Sequence, residues 1–468
     1  MAGWDRLSGI PVSHARMFTH RIEWILSFNT IFKGAVALMN FLSNYISVGV
    51  DVAADFSWFC ILTPDGKEFR KPFKVEHDNA DSLRNAVLTI KKAEEQYSIK
   101  SRTFLESTGI YHFPLFCHLK ELGFEVFVIN PLITNSNKNV GIRKVKNDKY
   151  DAKRIAGLGY SPNLKVSVMP AELIMNLRCL CREYYSLVDY RSAYVNKLKA
   201  QLRIVFPGFC KVFSDVTGAT SIAVMKNFST PEDILNAQPN EVIDLIALSS
   251  RKGIKYAKDK YEKLITAAKN ALNFRYNLST VYDVLDMHIH FVEEFDKKID
   301  LILAKIKAFV DKNKSESFVQ QIEYLDSING VGFLSAVTLM CEIGDFTAFS
   351  KPKQLFAYFG VDPSVNESGK FKGTENKMSK RGTRIGRRVL YAIALASVRV
   401  KRNGVAINPV LHEYYQKKKE SKPKKVALGA VMHKVSNIIF AVLRDSKTYE
   451  LKTPEEQRKQ YLNTKKAA

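Results

Sequence analysis

The chain has 468 residues, 46% of them hydrophobic and 25% charged, the balance of a globular protein with room for two to four domains. Lysine and arginine number 71 against 47 acids, a formal net charge of +24 that points to a polyanionic partner, with nucleic acid favoured over a purely solubilising role. Six cysteines with no CxxC pair do not make a disulfide scaffold; nine histidines, His288 and His290 among them, bring no ligand cluster for zinc; and no run of 18 apolar residues lacks polar breaks, so no membrane span is expected.

Residues 1–44 read as an N-terminal extension. Scattered Arg and His precede a mildly apolar Ile31–Leu42, a poor match to a signal peptide. Met39 stands close before the first strand and is an alternative start, so residues 1–38 are expected to be dispensable.

Residues 45–160 carry a compact alternation of elements. Tyr45–Val52, Phe56–Thr63 and Glu68–Val75 read as strands, with a Pro64–Lys67 turn between the second and third. A helix over Asp81–Gln96 would place Leu83, Val87, Ile90 and Ala93 on one face. Then come a strand over Thr103–Glu106, a helix over Phe113–Leu122 ended by Gly123, a strand over Glu125–Ile129 and a helix from about Asp148. Three meandering strands followed by helix, strand, helix, strand, helix is the order of a ribonuclease-H-like α/β fold.

Residues 165–323 read as almost all helix. Leu173, Leu177, Leu180, Tyr184, Leu187 and Tyr190 form a coiled-coil-like seam, broken at Pro207-Gly208. A looser segment follows, then helices from about Tyr256 and over Val281–Lys312, a long pair suited to a spacer or dimerisation arm. Residues 324–450 open with a glycine turn, Ile328–Gly332, before an apolar helix over Phe333–Glu342; the turn is either a plain N-cap or a phosphate cradle. Between Lys351 and Arg402 stand 13 basic and three acidic residues. Lys417–Lys425 reads as a solvated basic loop that could also touch phosphate, and 451–468 as a basic tail.

Four carboxylates are candidates for chemistry. Asp51 ends the apolar run Val48-Gly49-Val50, where burial demands a partner, and Glu106 ends another strand. Asp148 and Asp151, three apart, share a helix face. Singly, Asp148 suits an N-cap and Asp151 a first-turn acid. Together with the strand order, the favoured reading is a cluster holding two Mg²⁺ or Mn²⁺ ions for phosphate-ester displacement. The flanking basic run Arg143–Lys149, with Lys146, would bind neighbouring phosphates or merely neutralise the acids. Ser368, in Asn366-Glu367-Ser368-Gly369-Lys370, has a weak hydroxyl nucleophile, and its surroundings alone do not single it out. Lys370, Lys372, Lys380, Arg381, Arg384, Arg387 and Arg388 could stabilise a phosphoryl transition state.

In order along the chain, VGVDVA (48–53), LESTG (105–109), VINP (128–131), KNDKYDAKRIA (146–156), SINGVG (327–332), FAYFGVDP (356–363), ESG (367–369), MSKRG (378–382) and RRVLY (387–391) resemble the insertion-sequence-110 family of transposases, the bridge-RNA-guided serine recombinases. The resemblance implies a RuvC-like domain with a DEDD tetrad at Asp51, Glu106, Asp148 and Asp151, a coiled-coil connector, and a C-terminal transposase domain whose nucleophile is Ser368. It also implies a covalent phosphoserine link to DNA, Mg²⁺ held by the tetrad of one protomer acting with the serine of another, a dimer or tetramer, and a noncoding bridge-type RNA that pairs with donor and target DNA. The expected location is the prokaryotic cytoplasm, at the nucleoid. Here the extension before Tyr45 and the connector are longer than the family pattern requires. Two rivals stay open: a metal-dependent, structure-selective nuclease with no covalent intermediate, and a non-catalytic nucleic-acid-binding protein. Ser379 and Ser364 are the competing hydroxyls for the serine role.

Overall fold

In the computed structural model the chain divides into two units, Met1–Met169 and Pro170–Ala468. The residues described are 43–107, 110–131, 133–134, 147–162, 164, 166–167, 171–273, 279–364, 367–368, 371–372 and 377–459. The extension 1–38, the basic stretch 143–146 with Lys146, Lys370 and the end of the tail lie outside them.

The first unit is built on a six-stranded mixed sheet. Its strands are β1 (Ile46–Val52), β2 (Phe56–Leu62), β3 (Phe73–Glu76), β4 (Ser101–Glu106), β5 (Glu125–Ile129) and β6 (Val166–Ser167), in the spatial order β3-β2-β1-β4-β5-β6. β1, β2 and β3 pair antiparallel, whereas β4 and β5 run parallel to β1. Period-two alternation gives β1 two different faces. Ile46, Val48 and Val50 enter a core with Ile90 of α1 (Ala80–Tyr97) and Leu119 of α2 (His112–Glu121). Ser47, Gly49 and Asp51 face the other way, toward α3 (Asp148–Gly159).

The third strand is shorter than the expected Glu68–Val75. Glu68 makes one isolated bridge to Leu62, and regular pairing resumes only at Phe73. Between them residues 69–72 stand opposite only Cys60 and Ile61, and Pro72, which has no N–H to donate to a ladder, directly precedes the resumed pairing. Gly123 takes φ 84° after α2, the left-handed conformation that reverses the chain into β5.

The second unit is mostly helical. Its frame is α4 (Glu172–Val205), which packs along a partner described below. Pro207-Gly208 ends α4, with Gly208 at φ 94°. The expected loose segment is instead a run of short helices: α5 (Phe209–Val212), α6 (Ala219–Asn227), α7 (Pro231–Asn236) and α8 (Pro239–Ser250), leading to α9 (Ile254–Leu272). Pro231 and Pro239 occupy helix starts, where a missing N–H costs nothing, and Thr230 with Asp233 forms a capping box. α10 (Ser279–Lys312) is the partner of α4, tied by Arg191, whose Nη2 donates to Asp296 Oδ2 at 2.9 Å. Of the expected seam, Leu177 is fully buried and Leu173, Leu180 and Tyr184 partly so, while Tyr190 is 56% exposed.

This helix pair ends in two separate cores. Leu198 and Leu202 of α4 and Leu285 and Ile289 of α10 join a core with α5 to α9. At the opposite ends, Ile174, Leu177, Ile306 and Val310 join a core with the remaining helices: α11 (Ser317–Asp326), α12 (Phe333–Ile343), α13 (Pro352–Tyr358), α14 (Arg384–Ser397), α15 (Pro409–Ser421) and α16 (Lys424–Asp445). Between α13 and α14 sits a two-stranded hairpin, β7 (Glu367–Ser368) and β8 (Phe371–Lys372).

The basic run Lys417–Lys425, expected as a loop, ends α15 and begins α16, with only Lys422 and Pro423 between. Lysine is a good helix former, and its charge suits a helix C-terminus. α16 is the one helix among the described residues long and apolar enough to cross a membrane, and its Val431, Val435 and Ile439 lie in the core. All six cysteines are free.

Candidate active site

Two parallel strands set the first pair of acids side by side. Val50 pairs with Leu105, so Asp51 and Glu106 follow at the same level at the carboxyl ends of β1 and β4. Both belong to the face under α3: Asp51 pairs with Trp58, which packs with Ala152 and Ala156, and Glu106 pairs with Ile129, which packs with Ile155.

Gly49 decides where α3 lies. Ser47 Oγ donates to Ala156 O at 2.6 Å. A Cβ added at Gly49 would stand 2.1 Å from Ala156 N and 2.2 Å from Ala152 O, so the helix backbone rests directly on the strand. α3 therefore runs antiparallel to β1. Two strand residues advance about 6.8 Å and four helix residues about 6 Å, so the next position on this face, Asp51, falls beside the first turn of α3. That turn carries Asp148 and Asp151, and Lys149 Nζ lies 4.8 Å over the Trp58 ring beside it.

The N-cap of α3 is Asn147, whose side chain accepts from Lys149 N at 3.1 Å. Asp148 is the exposed first residue of the helix, not its cap. Glu106 and Asp151 are buried, and each has a partner: Thr134 Oγ1 donates to Glu106 Oε1 at 2.7 Å, and Arg154 Nη1 to Asp151 Oδ1 at 2.8 Å. Asp51 is half-buried and also partnered. Among the described residues no three His, Cys, Asp or Glu side chains converge closely enough to hold a metal ion. The fold thus brings the four acids to one face and one end of the sheet without drawing them into one ligand shell. Their chemistry suits a hard divalent cation, since all are oxygen donors.

In the second unit, Ser368 is the last residue of β7 and pairs with Phe371; Lys372 pairs with Glu367. The segment carrying the hairpin rises from an antiparallel stem. Ser364 N donates to Lys377 O at 2.7 Å, Ser379 N to Asp362 O and Lys380 N to Gly360 O, both at 2.9 Å. Lys380 adopts φ 54°, a strained conformation outside glycine. Gly382 meets the Phe359 backbone so closely that a Cβ would stand 1.9 Å from Tyr358 O. The stem is consequently anchored to the end of α13.

Both competing hydroxyls belong to this stem. Ser364 Oγ donates to Lys377 O at 2.7 Å, and Ser379 Oγ to Asp362 Oδ1 at 2.6 Å. Asp362 anchors Ser379 and also stands where a proton acceptor would. The basic residues divide. Lys380 and Arg381 are exposed. Arg387 Nη1 donates to Gly382 O at 2.6 Å and to Phe359 O at 3.2 Å, binding the stem to α14. Arg384 and Arg388 reach Asp189 of α4. In the glycine turn, Gly330 has φ 106° and packs on Ser397, whereas Gly332 caps α12 with open space around it.

Thr134, Arg154, Asp362 and Asp189 were not read from the sequence. Arg154 stands three residues after Asp151 and was within reach of helical spacing; the other partners come from distant segments.

Two family profiles match in order. One, for DEDD transposases of IS110 type and described as a transposase, covers residues 48–207. The other, the transposase IS116/IS110/IS902 family, covers residues 322–416. The chain belongs to the IS110 family of transposases. Among its relatives is an insertion element IS110 uncharacterized 43.6 kDa protein of Streptomyces coelicolor, 28% identical over 131 residues, which is 28% of this chain and 30% of the relative. The matched stretch thus spans less than a third of that relative's length.

Proposed function

We propose that this transposase-family chain is a DNA recombinase of an insertion element, cutting and rejoining donor and target DNA by phosphoryl transfer. The observation that carries this is the seating of α3 on Gly49, which sets Asp148 and Asp151 at the end of the sheet where Asp51 and Glu106 stand together. The strand order, with β4 and β5 parallel to β1 and the meander antiparallel, supports a ribonuclease-H-like, RuvC-type reading of residues 45–160. Asp51, Glu106, Asp148 and Asp151 would hold divalent cations, Mg²⁺ or Mn²⁺. Such ions stabilise attacking and leaving oxygens at a phosphate. Residues 165–323 serve as connector and 324–450 as the transposase domain.

Ser368 is the proposed nucleophile. The stem below it fixes the base of its hairpin, and the exposed Lys380 and Arg381 flank that base with positive charge. Serine attack on the scissile phosphorus would break the bond to the leaving oxygen and join protein to DNA. A dimer or tetramer and guidance by a noncoding RNA rest on the family resemblance.

Trapping tests the assignment. Full-length protein, labelled donor and target DNA, the RNA transcribed from the element's flank and Mg²⁺ are combined and run on a denaturing gel. A protein–DNA band in wild type and Ser379→Ala, absent in Ser368→Ala, is expected. A band that persists in Ser368→Ala and vanishes in Ser379→Ala moves the nucleophile to the hydroxyl beside Asp362. Cleaved DNA with no band in any protein turns the reading to the hydrolytic nuclease.

A further inference from the structure

We infer that Asp189 is a built-in competitor for nucleic-acid phosphate, occupying Arg384 and Arg388 until a phosphodiester displaces it. This rests on the nucleic-acid-binding reading above. Arg388 Nη1 donates to Asp189 Oδ1 at 2.7 Å, and Arg384 Nη2 to Oδ2 at 3.4 Å, so each carboxylate oxygen meets its own arginine. The Arg388 guanidinium lies 4.8 Å over the ring of Tyr185, one helical turn before Asp189 on α4. A phosphodiester also carries one negative charge over two non-bridging oxygens and matches the same fork.

Three features distinguish this contact from an ordinary structural tie. The α14 first turn is rich in arginine and contains no acid, an arrangement that the helix dipole disfavours by roughly 0.3–1 kcal/mol per charge. Packing explains Arg387, which binds two backbone carbonyls, but not Arg384, whose side chain is 84% exposed. The Asp189 side chain is itself 45% exposed, and ion pairs this open contribute only about 0–1 kcal/mol, so the carboxylate can be displaced. The pair lies next to the stem that carries the Ser368 hairpin, since α14 begins directly after Gly382 and Thr383. Asp189 would accordingly set a threshold that favours multivalent nucleic acid over isolated anions.

The sign of one substitution decides the matter. If Asp189 competes with phosphate, Asp189→Asn should tighten binding several-fold; if it merely orients the arginines, the same change should weaken it. The full chain is titrated, by fluorescence anisotropy across a salt series, against a labelled 30-base-pair duplex and a labelled 30-nucleotide RNA. The expected result is tighter binding by Asp189→Asn and Asp189→Ser, with a steeper salt dependence, by up to about 0.9 in log–log slope for each phosphate gained. Adding Arg384→Gln and Arg388→Gln to Asp189→Asn should erase the gain. Unchanged or weaker binding by both Asp189 variants, with wild-type unfolding temperature, overturns the inference. Failure of wild type to bind either probe overturns the nucleic-acid reading itself, a result distinct from the other.

Discussion

Substituting Gly49 by alanine should disable the acid site without altering any acid. The new Cβ would stand 2.1 Å from Ala156 N and 2.2 Å from Ala152 O, against an ordinary contact limit near 3.4 Å. Both neighbours are helix backbone, so α3 must retreat by more than about 1 Å or β1 must bend. Overpacking of this kind costs about 1–3 kcal/mol. At roughly 4 °C per kcal/mol for a unit of this size, the first transition in thermal unfolding should fall by about 4–12 °C. The retreat also carries Asp148 and Asp151 away from Asp51 and Glu106, and displacement of a reacting group by about 1 Å can cost ~100-fold in rate. The matched control is Gly157→Ala on the same helix, where nothing lies within 4 Å of an added Cβ. Relief of glycine's chain entropy should make that variant neutral or more stable by up to roughly 1 kcal/mol. Differential scanning fluorimetry and Mg²⁺-dependent strand cleavage measured on both variants provide the check. Wild-type stability and cleavage in Gly49→Ala would show that α3 does not rest on β1 as described.

The remaining expectations concern charge. Asp51→Asn should remove Mg²⁺- or Mn²⁺-dependent strand cleavage while leaving nucleic-acid binding intact, and chelation of wild type should have the same effect; cleavage by Asp51→Asn in the presence of chelator would refute the metal reading. Glu342 is 3% exposed and receives Arg182 Nε at 2.9 Å and Nη2 at 3.1 Å. Burial pushes its carboxyl up, but the Arg182 hydrogen bonds and charge more than reverse this and hold it below the ordinary glutamate value. A carboxyl lowered on folding stabilises the fold fully above its unfolded pKa, about 4.3, and loses that contribution as pH falls through the folded value. Glu342→Gln should therefore cost roughly 1.5–3 kcal/mol at neutral pH, read by urea unfolding, and the gap from wild type should close in acid. A gap that stays constant from pH 7 to pH 3 would contradict this.

The first unit was legible because its elements are long enough to show a period and are ended by local chemistry. Glu125–Ile129 is a short run of β-branched and aromatic residues that stops at Asn130-Pro131, and the strand occupies those residues. The helix face of Val87, Ile90 and Ala93 is buried as the spacing requires. The stretch 209–250 misled because helices of four to twelve residues hardly complete a hydrophobic period, and their opening prolines resemble loop punctuation. Asp148 and Asn147 are both capping residue types, and one residue of register decides which caps. The acid positions themselves lie at or near the end of a strand or in the first turn of a helix, where local pattern is readable. Their partners could not: Thr134 lies 28 residues from Glu106 and Asp189 lies 199 from Arg388, and no local pattern reports such pairings.

The first family profile ends at residue 207, yet Ile174, Leu177 and Cys181 are already part of the core that α11 to α16 complete. The boundary between homologous segments is therefore not a boundary between folding units. A fragment taken from the second profile alone, residues 322–416, would lack the α4 side of that core and the whole of α16. The same holds for natural exchange between related elements. A crossover anywhere between residues 182 and 305 would join one parent's Leu177 to another parent's Ile306 and Val310, and the hybrid would inherit a core whose halves had never been selected together. Viable chimeras of such elements should carry their junctions ahead of Glu172, where the two units divide.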